Sequence, residues 1–178
     1  MLAVVRYLMS SKWALTEHFS ITDQSGAPVF DVHGNFGLVK EVSFKDTSGR
    51  EVAKLKKHVL SNRYEILVGG EHAAEIQHKG LFGEHYEIGT SQGVLDARGD
   101  FGGWNYTLSR GGVMCATVTR ELAFMEKFAV DIAPGENDVF VLAVVLAIDN
   151  IHDERRAERQ HGIGGGVLGG ELGGFGRL

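Results

Sequence analysis

From Asp138 to Gln160 the chain runs without a glycine or a proline, although glycine supplies 25 of its 178 residues. Asn137 or Asp138 offers an N-cap oxygen to the exposed amides at the start of this stretch, so a helix over about 138–160 is expected. Its β-branched valines make a strand the competing assignment. The stretch is too long for one, and Asp153-Glu154-Arg155-Arg156 continues it helically. From Val139 to Ile148 the side chains are apolar around the whole circumference, and such a helix has to be buried on every side. About ten such side chains, at roughly 1.5–3 kcal/mol each, supply a large share of the drive to fold. As a helix the apolar run rises only about 15 Å, half of a hydrocarbon layer of about 30 Å. It is expected to be a core rod, and no transmembrane span is expected.

What surrounds the rod is suggested by an internal repeat. Asp31-Val32-His33-Gly34-Asn35-Phe36 recurs as Asp96-Ala97-Arg98-Gly99-Asp100-Phe101, and His18-Phe19-Ser20-Ile21 recurs as His85-Tyr86-Glu87-Ile88. Arg63-Tyr64-Glu65-Ile66 has its counterpart in Lys127-Phe128-Ala129-Val130, and the turn Thr47-Ser48-Gly49 in Arg110-Gly111-Gly112. The offsets agree on one unit of about 65 residues present twice. Each unit is a ladder of short alternating runs between glycine or asparagine turns, the pattern of antiparallel strands and hairpins. Six strands are expected per unit. In the first they lie near Tyr7–Met9, Phe19–Thr22, Val29–Val32, Val42–Lys45, Val52–Lys56 and Tyr64–Val68. In the second they lie near Ala74–Lys79, Tyr86–Gly89, Val94–Ala97, Asn105–Leu108, Met114–Thr119 and Phe128–Ile132. Alternation points Tyr64, Ile66 and Val68 to one side and Arg63 and Glu65 to the other. Twelve strands can close around a helix about 10–12 Å wide. The expected fold is therefore mainly β: a closed twelve-stranded antiparallel barrel of two six-stranded repeats enclosing a C-terminal hydrophobic helix. One domain over 1–161 is expected, followed by a flexible glycine-rich tail over 162–178.

The residues also resemble the LURP-one-related family, which groups with tubby C-terminal domains and phospholipid scramblases. The likeness rests on Arg6-Tyr7-Leu8-Met9, on Phe19-Ser20-Ile21-Thr22-Asp23 ahead of Gly26, and on Gly34 and Gly99 with Phe36 and Phe101. Ala143-Val144-Val145-Leu146-Ala147-Ile148-Asp149-Asn150 completes it, over residues 5 to about 155. The resemblance implies a twelve-stranded barrel around a central hydrophobic helix and supplies no established catalytic residue. Among the relatives, tubby domains bind phosphoinositide head groups through basic surface residues, and scramblases are associated with lipid movement and calcium. The segment from Asp131 to Asp138 lacks the alternating ligands and closing glutamate of a dedicated calcium loop. It reads as a turn followed by a helix cap.

A formal net charge of −5 argues against nucleic acid as a partner, and a single cysteine excludes an intrachain disulfide and suits a reducing cytoplasm. The N-terminus reads as no signal peptide. Basic residues are nevertheless concentrated: between Lys40 and Arg63, seven Lys or Arg stand against three acids. Alternation sets Lys54, Lys56 and His58 on one strand face, opposite Ala53 and Leu55, with Arg63 joining from the next strand. The row suits anionic phospholipid head groups, at roughly 1 kcal/mol per contact. A solvated wall whose lysines discourage edge pairing is the alternative.

Other chemistry is poorly supported. His72 and His78, near Glu75, are separated by about 20 Å of strand, and His85 points outward beside an inward Tyr86, so no metal site is expected. His152-Asp153 sits alone on the helix. Cys115 reads as a small core residue without an evident basic neighbour, and no nucleophile elbow is present. Trp13, Trp104, Phe101 and Phe124 read as core aromatics rather than a ligand pocket. Glu84 and Glu87 fall on opposite strand faces, badly placed for joint acid–base work. The expected function is a non-enzymatic binding or scaffold module without a cofactor. It is expected to be cytoplasmic or peripheral to the membrane, and to meet an anionic phospholipid surface or an acidic protein through Lys54, Lys56, His58 and Arg63. A scramblase-like lipid transporter, or an enzyme with a site on the barrel rim, are the alternatives.

Overall fold

Twelve antiparallel strands close into one barrel. The structure, a computed structural model, describes residues 3–10, 18–36, 40–58, 63–77, 85–121 and 127–163. The first six strands are β1 (Val5–Ser10), β2 (His18–Asp23), β3 (Pro28–Phe36), β4 (Lys40–Asp46), β5 (Glu51–His58) and β6 (Arg63–Val68). The second six are β7 (Glu71–Gln77), β8 (His85–Thr90), β9 (Gly93–Asp100), β10 (Asn105–Arg110), β11 (Val113–Arg120) and β12 (Lys127–Ile132). Sequence neighbours pair throughout, and β1 closes onto β12 from Val5↔Ile132 to Ser10↔Lys127. The recurring segments fall six strands apart: on β2 and β8, on β3 and β9, and on β6 and β12.

Tight turns set the register. Asp23 and Asp46 each accept backbone N–H bonds from residues two and four positions on, Ser25 and Ala27 in one case and Ser48 and Arg50 in the other. Gly26 and Gly49 complete these turns at φ +85° and +82°, where a side chain would be strained. Hydrogen bonds from Ser25 and Ser48 are the largest influence holding both carboxyls below the usual carboxylate range. β7 starts at Glu71, ahead of the expected Ala74, because Gly69 and Gly70 turn the chain at once after β6. The expected end of that strand at Lys79 lies outside the described residues.

Alternation builds the core. Tyr64 and Ile66 are buried while Arg63 and Glu65 face outward, and Ala53 and Leu55 are buried along β5. A register shift between Leu108 and Ser109 breaks the pattern on β11, so Cys115 and Ala116 both enter the core and Met114 is left exposed. Gly99, at φ +133°, lies so close to β10 that a Cβ there would meet the backbone oxygen of Asn105 at 2.6 Å.

The helix α1 spans Asp138–Ile163. Asn137, rather than Asp138, is its cap: Oδ1 accepts the Phe140 amide at 3.0 Å, while Asp138 accepts the Tyr7 hydroxyl at 2.7 Å. The helix runs past Gln160 and takes in Gly162, which the sequence pattern assigns to the tail. A glycine near a helix end costs about 1 kcal/mol, little enough for a last turn to absorb. Residues 164–178 lie outside the described residues. Every residue from Phe140 to Ile148 is buried in one cluster with inward side chains of the strands. The backbone of α1 approaches β5 and β6, and also β12, which stands on the opposite side of the closed strand order. Among the described residues, no helix is long and apolar enough to cross a membrane.

Candidate functional site

The pleat of β5 sends Lys54, Lys56 and His58 outward, and register pairs His58 with Arg63 on β6. The four residues selected from sequence therefore share one outer face. Acids arrive on the same face from both sides. Lys54 lies 3.3 Å from Glu51, His58 3.3 Å from Glu65, and Arg63 3.2 Å from Glu75. Lys56 stands between Glu41 of β4 and Glu65 of β6 in register. Glu65 and Glu75 belong to later strands, outside the basic segment, and only sheet pairing brings them here.

Two of the lysines counted in that segment leave the face altogether. Lys57 has the opposite parity to the row, and its side chain is only 12% exposed. Its ammonium pairs with Glu154 of α1, which Lys40 also reaches at 3.1 Å, and it stands 5.6 Å from the centre of the Tyr64 ring. Burial opposes ionisation of Glu154, but the two lysines together outweigh it and hold the carboxyl below its ordinary range. The Tyr64 hydroxyl is pushed far up, first by burial and then by Glu154. Lys57 was legible in principle, since the alternation that buries Ala53 and Leu55 also turns residue 57 inward.

A second polar group forms on the outer wall of β8 and β9. His85 points outward beside buried Tyr86, and Asp96 is set opposite Glu87. Ligand atoms of His85, Glu87 and Asp96 lie within 4.8 Å of one another, a set able to hold a divalent cation. His85 Nε2 already sits 2.7 Å from Asp96, and the Arg98 guanidinium, 3.8 Å from the same carboxylate, brings positive charge of its own. Spacing along the chain hid this group, because Asp96 reaches it only through the hairpin register. His72 is exposed on β7, and His78 lies outside the described residues, as do Glu84, Trp13 and Phe124.

The acids ahead of the helix are held separately. Asp131 takes two bonds of 2.7 Å from the Arg6 guanidinium, Glu136 is paired with Arg110, and Asp138 accepts from Tyr7. Cys115 is buried, as expected, yet it does have charged neighbours in Arg110 and Glu136. Burial and then a hydrogen bond to Glu136 push its thiol up, against the effect of Arg110. Sequence proximity missed that pair because Glu136 comes from the turn before α1. Phe101 is in the core, and Trp104, at φ +49°, stacks on Phe128 and donates Nε1–H to buried Asp149 at 2.8 Å.

Compared with known families, residues 5–149 match the model described as LURP-one-related. No curated protein matches the chain.

Proposed function

The chain belongs to the LURP-one-related family, and from that premise we propose that it is a non-enzymatic binding module whose helix plugs the barrel and whose outer wall meets its partners. The observation that carries this is the burial of all residues from Phe140 to Ile148 together with the approach of α1 to opposite walls. A filled lumen leaves the outside and the two ends for recognition. On the outside, the row of Lys54, Lys56, His58 and Arg63 presents cations to an anionic phospholipid surface.

The contact is a weak one. Three permanent cations at about 1 kcal/mol each give about 3 kcal/mol, short of the roughly 4 kcal/mol of a millimolar complex. Glu41, Glu51, Glu65 and Glu75 reduce it further. Binding is therefore expected only on densely charged surfaces at low salt, where screening is least. Sedimentation with phosphatidylserine-rich vesicles, against phosphatidylcholine alone, tests the proposal. The expected result is salt-sensitive co-sedimentation that K54E/K56E abolishes. Failure of the wild type to sediment, or an unchanged K54E/K56E variant, leaves these residues as a solvated wall. Retention on polyglutamate without vesicle binding transfers the face to an acidic protein.

A further inference from the structure

Among the described residues, β7 and β8 pair only at Ala74↔Thr90 and Glu75↔Gly89. β8 turns back at Thr90, but β7 continues to Glu71, so the start of β7 overhangs its neighbour. Beside the overhang lies a cavity of about 400 Å³, closed from within by the turn before α1 and by Phe140. Its apolar lining is Val68, Ala73 and Phe140, all packed against the core. The polar lining includes Arg110, Glu136 and Asn137.

We infer that this cavity binds a small uncharged amphiphile bearing a carbonyl oxygen, with the oxygen at Arg110 and the hydrocarbon body over Val68, Ala73 and Phe140. Charge balance selects the class. Arg110 Nη1 donates to both oxygens of Glu136, at 3.0 and 3.1 Å, and each side chain is only 20% exposed. The pair cancels itself, so an anion entering the cavity faces Glu136 and a cation faces Arg110, each at a desolvation cost. A neutral ligand meets neither penalty. Hydrogen-bond balance selects the head group. Arg110 Nε is buried with no partner and with no surface open to the cavity, so an acceptor oxygen that draws it out by a small side-chain shift satisfies a donor otherwise left unpaired. Asn137 has committed Oδ1 to the helix cap, so its amide hydrogens are what it can offer a ligand. Both groups call for an acceptor. The volume falls within the range of small-molecule sites.

The test is protein-observed NMR with hexanamide, hexanoate and hexylammonium, three probes with one body and different heads. Hexanamide is expected to shift the amides of Ala73, Thr90, Gln92 and Gly135 saturably. The two charged probes are expected to bind at least about fivefold more weakly. Ser91→Trp, on the exposed turn at the cavity mouth, is expected to remove the response, and Gln92→Trp serves if that variant loses the folded spectrum. No saturable change at these amides, equal binding of a charged probe, or a full response in the tryptophan variant overturns the inference. Vesicle binding by the β5 face is scored in a separate assay, so either proposal can fail alone.

Discussion

Leu142 and Val144 give the sharpest test of how α1 is packed. Successive helical residues turn by about 100°, so these two side chains leave the axis on nearly opposite sides. Both are fully buried. On a helix lying against the outside of a sheet, one of the pair would face water and its truncation would stay within about 0.5 kcal/mol. Leu142→Ala removes three carbons, about 2.4 kcal/mol of transfer at roughly 0.8 per carbon. A closed, hydrogen-bonded wall collapses poorly into the space left, and a residual cavity of about 60 Å³ adds some 1.5 kcal/mol. The expected loss is about 4 kcal/mol for Leu142→Ala and, with two carbons removed, about 2–3 kcal/mol for Val144→Ala. Against a total of 5–15 kcal/mol for a domain, both losses are measurable by urea unfolding followed through tryptophan fluorescence. A near-neutral result at either position refutes burial on all sides.

Other outcomes follow from local geometry. Gly99→Ala is expected to cost at least about 2 kcal/mol, read as a lowered denaturation midpoint, because φ is positive and the new methyl meets β10 backbone; a midpoint unchanged from wild type contradicts the close approach. Lys57→Met is expected to lose about 1–3 kcal/mol by removing a donor from a charged, part-buried partner, and Lys57→Arg should recover most of it; equal stability of Lys57→Met and wild type rejects the clasp on Glu154. Acid is expected to destabilise the fold in two stages. His152 is lowered chiefly by burial, with Arg155 and Arg156 aiding and Asp153 opposing, so its neutral form is favoured by folding. The unfolded chain therefore binds the extra proton, and stability starts to fall as pH drops below about 6.5. Glu154, also lowered, adds a second loss below about pH 4.3. Asp153, raised by burial, works in the opposite direction. Stability curves of wild type and His152→Gln should diverge between pH 7 and 5, and parallel curves would show that His152 titrates as it does in the unfolded chain.

Much of the fold could be read in the chain because two periodicities are explicit in it. The alternation of Tyr64 and Ile66 with Arg63 and Glu65 marks a strand with one buried face, and the unbroken apolar run that starts at Val139 marks a helix whose residues from Phe140 to Ile148 are all buried. Where alternation fails, a local insertion is responsible: at Cys115 and Ala116 a register shift puts neighbouring side chains into the same core. The candidate site was legible only in half. Which residues share the face of β5 is a property of one strand, and Lys54, Lys56 and His58 do share it. Which charges oppose them is a property of pairing between strands, and Glu65 and Glu75 arrive by register rather than by sequence proximity. The same limit hid Asp96 from His85 and Glu154 from Lys57.

The measurement that bears most directly on a plugged barrel is a set of methyl–methyl NOEs from Leu142, Val145 and Leu146 in selectively labelled protein. Cross-peaks are expected both to Leu55 and Ile66 on β5 and β6 and to Val130 and Ile132 on β12, the two sides of the strand order that α1 approaches. Cross-peaks to one side alone, with rapid solvent exchange of the amides from Val141 to Ile148, would place the helix outside the strands and contradict the account.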